Sequence, residues 1–174
     1  CDETASPLMV DLGSNGIQLS QIKAGVNFDI DGDGALEKIS WPTNIENAFI
    51  GLDRNGNGKI DDIHELFGNS TIGEDGQQAA NGFEALKKYD SNGDLKITED
   101  DEVYDQLVLW QDNNRDGETD ADEVSTFREK DVSVISLKYQ EGLEYDYWGN
   151  QTRQRSAATI NGHAKIIFDI WFLN

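Results

Sequence analysis

The stretch Asp112–Glu123 reads DNNRDGETDADE, and it is the strongest indication of how this chain is built. Oxygen-bearing side chains stand at positions 1, 3, 5, 9 and 12, and a glycine stands at position 6. A hard cation with many oxygen ligands requires this spacing, because short side chains follow a sharp bend and a closing glutamate supplies two oxygens. The stretch therefore predicts a calcium site. Its ligands would be Asp112, Asn114, Asp116, the backbone carbonyl of Glu118, Asp120 and Glu123.

A second copy of the pattern begins at Asp90 and departs from it at two positions. Leu95 replaces the usual glycine at position 6, which strains the bend. Asp101 stands at position 12 and is shorter than glutamate, so it reaches an ion less easily. The predicted ligands are Asp90, Asn92, Asp94, the carbonyl of Lys96, and Asp101.

A third copy begins at Asp53, and its closing residue is shifted. His64 stands at position 12 and is a poor ligand for a hard cation, whereas Glu65, one residue later, can close the site. Two asparagines lower the charge of the loop and with it the expected affinity. The predicted ligands are Asp53, Asn55, Asn57, the carbonyl of Lys59, Asp61 and Glu65.

A fourth copy begins at Asp29 and lacks a closing carboxylate at position 12, where Ser40 stands. Its predicted ligands are Asp29, Asp31, Asp33 and Glu37. For any single copy the alternative is a turn rich in Asp, Asn and Gly without an ion. Repetition between apolar segments favours calcium, and we expect about two to four Ca²⁺ ions in all.

The charge of the chain limits its partners. Acidic residues outnumber basic residues by 34 to 14, and the formal net charge is −20. No basic patch is present to neutralise phosphates, so a nucleic-acid partner is not expected. The longest apolar run is far too short to span a bilayer. The carboxylates within each empty acidic loop would repel one another, so the sequence predicts a fold that calcium stabilises.

The predicted fold class is α+β, in a single domain over 7–174. Apolar residues at Phe83, Leu86 and Tyr89 have helical spacing and lead into the Asp90 copy. A second helix is expected after Thr98 and an exit helix over about 123–130, which predicts an EF-hand-like pair over about 82–130.

The C-terminal part, 132–174, is predicted to be rich in β-strands. Ile135, Leu137 and Tyr139 alternate, and Asn161-Gly162 is a strong signal for a hairpin turn. After that turn a second alternating set predicts a strand with one apolar face. Short helices and antiparallel strands or hairpins would thus be joined by EF-hand-like calcium loops. The second set consists of Ala164, Ile166, Phe168, Ile170 and Phe172.

The order of these motifs resembles the calcium-binding domain of bacterial RTX-type proteins, including the self-processing module of iron-regulated RTX proteins. The segments that carry the resemblance are PLMVDL, FDIDGDG, LDRNGNGKIDDIHELFG, NGFEALKKYDSNGD, LVLWQDNNRDG and IIFDIWF. The resemblance implies secretion and folding driven by calcium. For the self-processing members it also implies cleavage of an Asp-Pro bond, in which the aspartate forms an anhydride that a lysine can capture.

Ser6 precedes Pro7 here, where the resemblance would place the aspartate. A serine hydroxyl cannot form that anhydride, so we expect self-processing to be lost and the chain not to be an enzyme. Residues 1–6 read as a flexible linker. Cys1 is either the lipidated first residue of a mature bacterial lipoprotein, the only membrane tether expected, or the boundary of a fragment. The expected location is extracytoplasmic. Duplicated calcium loops also occur in dockerins, so docking to another extracytoplasmic protein is a further alternative.

Overall fold

The computed structural model describes residues 5–173, and antiparallel strands dominate it. Cys1 and most of the predicted linker lie outside the described residues, whereas Ala5 and Ser6 are buried. The strands are β1 (Leu8–Asp11), β2 (Val26–Phe28), β3 (Glu37–Ile39), β4 (Asn47–Leu52), β5 (Lys96–Ile97), β6 (Leu107–Trp110), β7 (Val124–Thr126), β8 (Val132–Ser136), β9 (Gln140–Tyr145), β10 (Gln151–Ile160) and β11 (His163–Trp171). The helices are α1 (Gly82–Lys87) and three short 3₁₀ turns at Ile22–Ala24, Ile63–Glu65 and Tyr104–Gln106.

Nine of the strands form one curled antiparallel sheet. Its order is β5-β8-β10-β11-β1-β4-β6-β7, and β9 pairs with the free part of β10. The strands β2 and β3 form a separate hairpin. No described helix is long and apolar enough to cross a membrane.

The predicted α+β class is therefore wrong, and so is its set of EF-hand helices. Among residues 5–173, α1 is the one α-helix, and it spans only six residues. The expected exit helix is instead β7 followed by turns, because Val124 and Thr126 are β-branched and pair with Trp110 and Val108 of β6. Thr98 caps only a turn, where its hydroxyl accepts a 3.3 Å hydrogen bond from the Asp100 amide.

The central strands are buried on both faces of the sheet. In β4, Ala48 and Ile50 face a core that includes α1, and Phe49 faces a second core on the other side. The predicted helical face of α1 is confirmed, because Phe83 and Leu86 lie in the first core. The predicted alternation in the C-terminal part is confirmed only in part, because Ala164 and Ile166 of the predicted apolar face are exposed and Ile167 is buried instead. Ile135 and Leu137 join the first core, while Phe168, Ile170 and Phe172 pack in the second.

The second core is aromatic, and it holds the β2–β3 hairpin against the sheet. The ring centroid of Trp41 lies 5.3 Å from that of Phe28, 5.0 Å from that of Phe49 and 5.6 Å from that of Trp110. Such contacts add to the burial of large apolar rings. The Asp29 copy connects β2 to β3 beside this core. Because β4 and β6 are antiparallel, they lead into their own acidic loops at opposite ends of their paired segment.

Candidate calcium-binding loops

The four predicted loops connect different kinds of element. The Asp112 loop (112–123) joins β6 to β7, and the Asp29 loop (29–37) joins β2 to β3. The Asp53 loop (53–65) follows β4 and ends in a 3₁₀ turn, and the Asp90 loop (90–101) follows α1 and contains the short strand β5. The strongest motif is thus a strand–loop–strand unit rather than a helix–loop–helix unit.

The backbone of the Asp112 loop is wrapped around its own carboxylates. Asp112 Oδ1 accepts a 2.6 Å hydrogen bond from the amide of Arg115, and Oδ2 accepts one of 2.8 Å from Gly117. Glu123 Oε1 accepts a 2.7 Å bond from the amide of Asn113, and its Oε2 accepts one of 3.3 Å from Asp120. The first and last carboxylates of the motif are therefore fixed by amides of the loop between them.

The Asp53 loop repeats this scheme. Asp53 accepts hydrogen bonds of 2.7 Å from the amides of Gly56 and Gly58. Glu65 accepts 2.9 Å bonds from the amides of Arg54 and Asp61, which are positions 2 and 9 of the loop. The structure therefore places Glu65 in the closing role that Glu123 has in its own loop. His64 points elsewhere and lies against Gly32 of the Asp29 loop.

The Asp90 loop also repeats the scheme with a shorter closing residue. Asp90 accepts 2.8 Å hydrogen bonds from the amides of Gly93 and Leu95. Asp101 accepts one of 2.8 Å from Ser91 and one of 2.9 Å from Thr98. Leu95 has φ of 63°, so a non-glycine residue adopts the left-handed conformation that position 6 requires.

The Asp29 loop closes through Glu37. Asp29 accepts bonds of 2.7 and 2.9 Å from the amides of Gly32 and Gly34, and Glu37 accepts one of 3.3 Å from Ile30. One carboxylate oxygen each from Asp29, Asp31 and Glu37 lies within 4.8 Å of the others. Burial raises the pKa of Glu37, and the neighbouring aspartates raise it further. Three carboxylates this close favour a bound cation or a proton.

The middle residues of the loops are organised in the same way. In three loops the side chain at position 5 accepts a hydrogen bond from the amide at position 7, whose carbonyl is the predicted ligand. The pairs are Asn57 with Lys59, Asp94 with Lys96, and Asp116 with Glu118. The remaining predicted ligands, Asp33 and Asn92, make similar short-range bonds to the amides of Ala35 and Asp94.

Asparagine amides stand between the carboxylates in two loops. Asn114 Nδ2 donates to Asp116 at 2.9 Å and to Asp120 at 3.2 Å. Asn55 and Asn57 donate to Asp61 at 2.9 and 2.6 Å. A bound cation would replace these NH₂ groups as the positive partner of the carboxylates, and the side-chain amide oxygens could then bind the cation. The oxygen and nitrogen of an amide are distinguished only by such bonding patterns.

A family model described as the SPM domain matches residues 8–173. The chain belongs to the SPM domain family. It is also 36% identical, over 155 residues, to the iron-regulated protein FrpA of Neisseria meningitidis serogroup C, an RTX-type protein. That match covers 88% of this chain but 14% of the relative, so the chain spans about one seventh of that protein. The resemblance to iron-regulated RTX-type proteins is thereby confirmed.

In this SPM domain the Asp112 loop is attached to the aromatic core. Trp41 Nε1 donates a 2.6 Å hydrogen bond to Asp112 Oδ2, and both groups are buried. Burial raises the pKa of Asp112, although the hydrogen bonds from Gly117, Trp41 and Arg115 oppose that shift. Sequence reasoning missed Trp41, because no local pattern links two residues that are 71 positions apart.

Contacts between loops of the SPM domain also differ from the prediction. Thr119 Oγ1 accepts a 3.1 Å bond from the amide of Ile60 and donates a 2.8 Å bond to the carbonyl of the same residue. Both residues stand at position 8 of their loops. The Asp112 loop is therefore joined to the Asp53 loop rather than to the Asp90 loop, and a cavity of about 380 Å³ lies along this contact.

The Asp29 loop joins the same group. The amide of Ile63 donates a 3.1 Å bond to the carbonyl of Asp29, and Asp29 forms a parallel bridge with Asp62. Three of the four loops consequently form one cluster, whereas the Asp90 loop packs through Ile97 and Leu95 against β8 and the residue after it. In the sequence, the one indication of the role of Thr119 is that it is the eighth residue of its loop, as Ile60 is of the Asp53 loop.

Proposed function

We propose that this SPM domain is an extracytoplasmic calcium-binding domain whose folding and stability depend on about two to four bound Ca²⁺ ions. The hydrogen-bond scheme repeated in four loops supports this proposal most directly. In each loop the first aspartate and a closing carboxylate are fixed by backbone amides, although the elements around the loops differ. Because the same hydrogen bonds occur in loops that join different kinds of element, we infer that the four loops bind the same kind of ligand.

Electrostatics gives the ions a structural role. The formal net charge is −20, and repulsion among the loop carboxylates destabilises the compact state. Each Ca²⁺ would neutralise two of these charges and stabilise the folded form by mass action. Sites of about 10⁻⁴–10⁻³ M would be filled at extracellular calcium concentrations. The proposed location outside the cytoplasm is supported by the similarity to FrpA, an RTX-type protein.

The first prediction is that removing calcium lowers the melting temperature by about 10 °C or more. One site filled at a hundred times its dissociation constant contributes about 2.7 kcal/mol. In a domain of this size 1 kcal/mol corresponds to about 2–4 °C. The measurement is thermal unfolding by circular dichroism, with excess Ca²⁺, with excess chelator, and with Mg²⁺ as the control ion. An unchanged melting temperature in chelator would contradict the proposal.

The same calcium-treated sample separates this function from self-processing. The Ser6–Pro7 bond is well held: the Ser6 amide donates a 2.9 Å bond to Asn69 Oδ1, and the Pro7 carbonyl accepts one of 3.1 Å from Ile170. A serine at position 6 lacks the carboxylate that the proposed cleavage chemistry uses, so the intact mass should not change after incubation. A fragment that begins at Pro7 would favour the self-processing alternative.

A further inference from the structure

A row of polar side chains crosses the C-terminal strands β9, β10 and β11, none of which belongs to an acidic loop. Glu141, Gln154 and Asp169 are directly opposite one another on β9, β10 and β11. Opposite residues in antiparallel strands project to the same face, about 4.5–5.5 Å apart. Asp169 is completely buried, and Gln154 is nearly so. None of the proposed calcium ligands belongs to this row.

Two acceptor oxygens in this row of side chains are left without a hydrogen-bond donor among the described residues. Asp169 Oδ2 accepts a 2.6 Å bond from the amide of Gly82 at the start of α1, and Gln154 Nε2 donates a 2.8 Å bond to Glu141. Asp169 Oδ1 and Gln154 Oε1 are buried without a hydrogen-bond partner among the described residues. Two buried acceptors on neighbouring residues cannot satisfy each other, but a proton on Asp169 turns one of them into a donor.

The charges around Asp169 do not replace that proton. Arg153 on β10 lies with its guanidinium 3.7 Å from the ring centroid of Trp171 and donates to Gln151, so it makes no ion pair with Asp169 in the described part of the chain. Glu141 on β9 adds negative charge, while Glu84 on α1 accepts a bond from Tyr139. Burial raises the pKa of Asp169 to about 7, against smaller opposing effects of Gly82, Ser6 and Arg153.

The N-terminal segment packs directly beside this acid. Ser6 is fully buried and interacts with the Asp169 carboxyl. The amides of Ile170 and Phe172, on either side of Trp171, donate to the carbonyls of Pro7 and Ala5 at 3.1 and 3.2 Å. Residue 169 thus contacts both the segment before β1 and the start of α1, two parts of the chain that no loop motif connects.

We propose that Asp169 is a neutral carboxylic acid in the folded protein and acts as a proton-dependent anchor for the segment Ala5–Pro7 and for the start of α1. Its proton satisfies Gln154 Oε1 while its other oxygen receives the Gly82 amide. When the proton is lost, a bare carboxylate is buried without a cation, and the anchor weakens. This inference does not depend on calcium binding.

The sign of the pH effect follows from the direction of the shift. The pKa is raised in the folded state, so the stabilising effect of the proton is complete below the ordinary aspartate range and is lost as the pH rises through about 7. Between the ordinary aspartate range and about pH 7, the ratio of released to anchored chains should rise by up to about tenfold for each pH unit, and it should level off above that point. The net charge of −20 also disfavours the folded state at high pH, so only a difference between variants is diagnostic.

Asp169→Asn supplies that difference, because an asparagine can accept from Gly82 and donate to Gln154 at every pH. With saturating Ca²⁺, the melting temperature of the variant relative to the native chain should rise between about pH 5.5 and pH 8.5. Protease cleavage of the N-terminal segment in the native chain should become faster by about tenfold or more across the same range, and the variant should not respond. A difference in melting temperature that is constant with pH would overturn the proposal.

The direct observation is the ¹³C chemical shift of the Asp169 carboxyl in the native chain. It should report a neutral acid at about pH 6 and titrate near neutrality. A signal of a charged carboxylate at that pH would also overturn the proposal. Gln154→Leu provides a second variant that leaves Asp169 in place. Removal of the acceptor oxygen should lower the titration midpoint, whereas an unchanged midpoint would show that Gln154 does not hold the proton.

Discussion

The Asp112 loop and the Asp90 loop have the same internal hydrogen bonds but very different surroundings. Asp112 accepts from the core residue Trp41, and Thr119 joins its loop to Ile60. A Cβ atom on Gly117 would lie 2.8 Å from Cγ2 of Val26. By contrast, a Cβ atom on Gly93 in the Asp90 loop would meet nothing within 4 Å. The Asp112 loop is anchored in the interior through its buried residues Asp112, Gly117, Thr119 and Glu123, whereas Gly93 of the Asp90 loop faces open space.

The local turn of each loop and the contacts of that loop with the rest of the protein therefore have separate origins. The motif fixes the local turn, since each first-position aspartate draws in amides three and five residues later. The coupling comes from residues outside the ligand set, such as Trp41 and Thr119. A change in the Asp112 loop should therefore reach the aromatic core and the Asp53 loop, while a change in the Asp90 loop should stay local.

The largest expected effect comes from the closing carboxylates. In Glu123→Gln one carboxylate oxygen becomes an NH₂ group, which cannot accept the hydrogen bond from the backbone amide of Asn113 or Asp120. The substitution also removes a buried negative charge from the proposed calcium site. We expect this variant to bind at least two fewer Ca²⁺ ions, whereas the matched variant Asp101→Asn loses only one. Native mass spectrometry across a calcium titration counts the ions directly. Equal losses in the two variants would show that the loops are not coupled differently.

A smaller effect is expected at the link between loops. Thr119→Val keeps the side-chain shape but leaves the buried amide and carbonyl of Ile60 without their partner, which costs about 1–3 kcal/mol for each unsatisfied group. Filling of the Asp53 and Asp112 sites should also change from cooperative to independent. The control is Thr98→Val in the Asp90 loop, whose hydroxyl makes one long bond to Asp100.

Calcium titration calorimetry and denaturant unfolding measure both consequences of the Thr119 substitution. The control variant should lose less than about 1 kcal/mol and leave the cooperativity unchanged. If Thr119→Val binds calcium as cooperatively as the native chain does, the hydroxyl does not carry the coupling. That result would not contradict the proposal that the loops bind calcium, because it concerns only the cooperativity between the Asp53 and Asp112 sites.

Local signals in the sequence predicted individual elements, but the fold class inferred from them was wrong. The helical face at Phe83 and the hairpin at Asn161-Gly162 follow from periodicity and turn chemistry, which act over a few residues. Asn161 and Gly162 both have positive φ, as their turn requires. The prediction of an exit helix was wrong because Val124 and Thr126 have β-branched side chains, which favour a strand, and they pair with β6.

The candidate site divides in the same way. The oxygen-bearing positions of each loop could be read from the sequence, since each loop is a local segment; whether they bind an ion stays a prediction. The bond from Trp41 to Asp112 spans 71 residues, and that from Gly82 to Asp169 spans 87. No pattern of neighbouring residues carries such information, because the sheet order that creates these contacts is not sequential.

The smallest expected effect compares two glycines, Gly117 and Gly93. Both have positive φ, 78° and 74°, so alanine at either position strains the backbone by about 1 kcal/mol. At Gly117 the new methyl group would also press on Val26 and on the carbonyl of Asn27, and overpacking adds about 1–3 kcal/mol. Denaturant unfolding in saturating Ca²⁺ should therefore rank Gly117→Ala below Gly93→Ala in stability. Equal losses would mean that Val26 moves aside freely, and the Asp112 loop would then be no more tightly packed than its counterpart at Asp90.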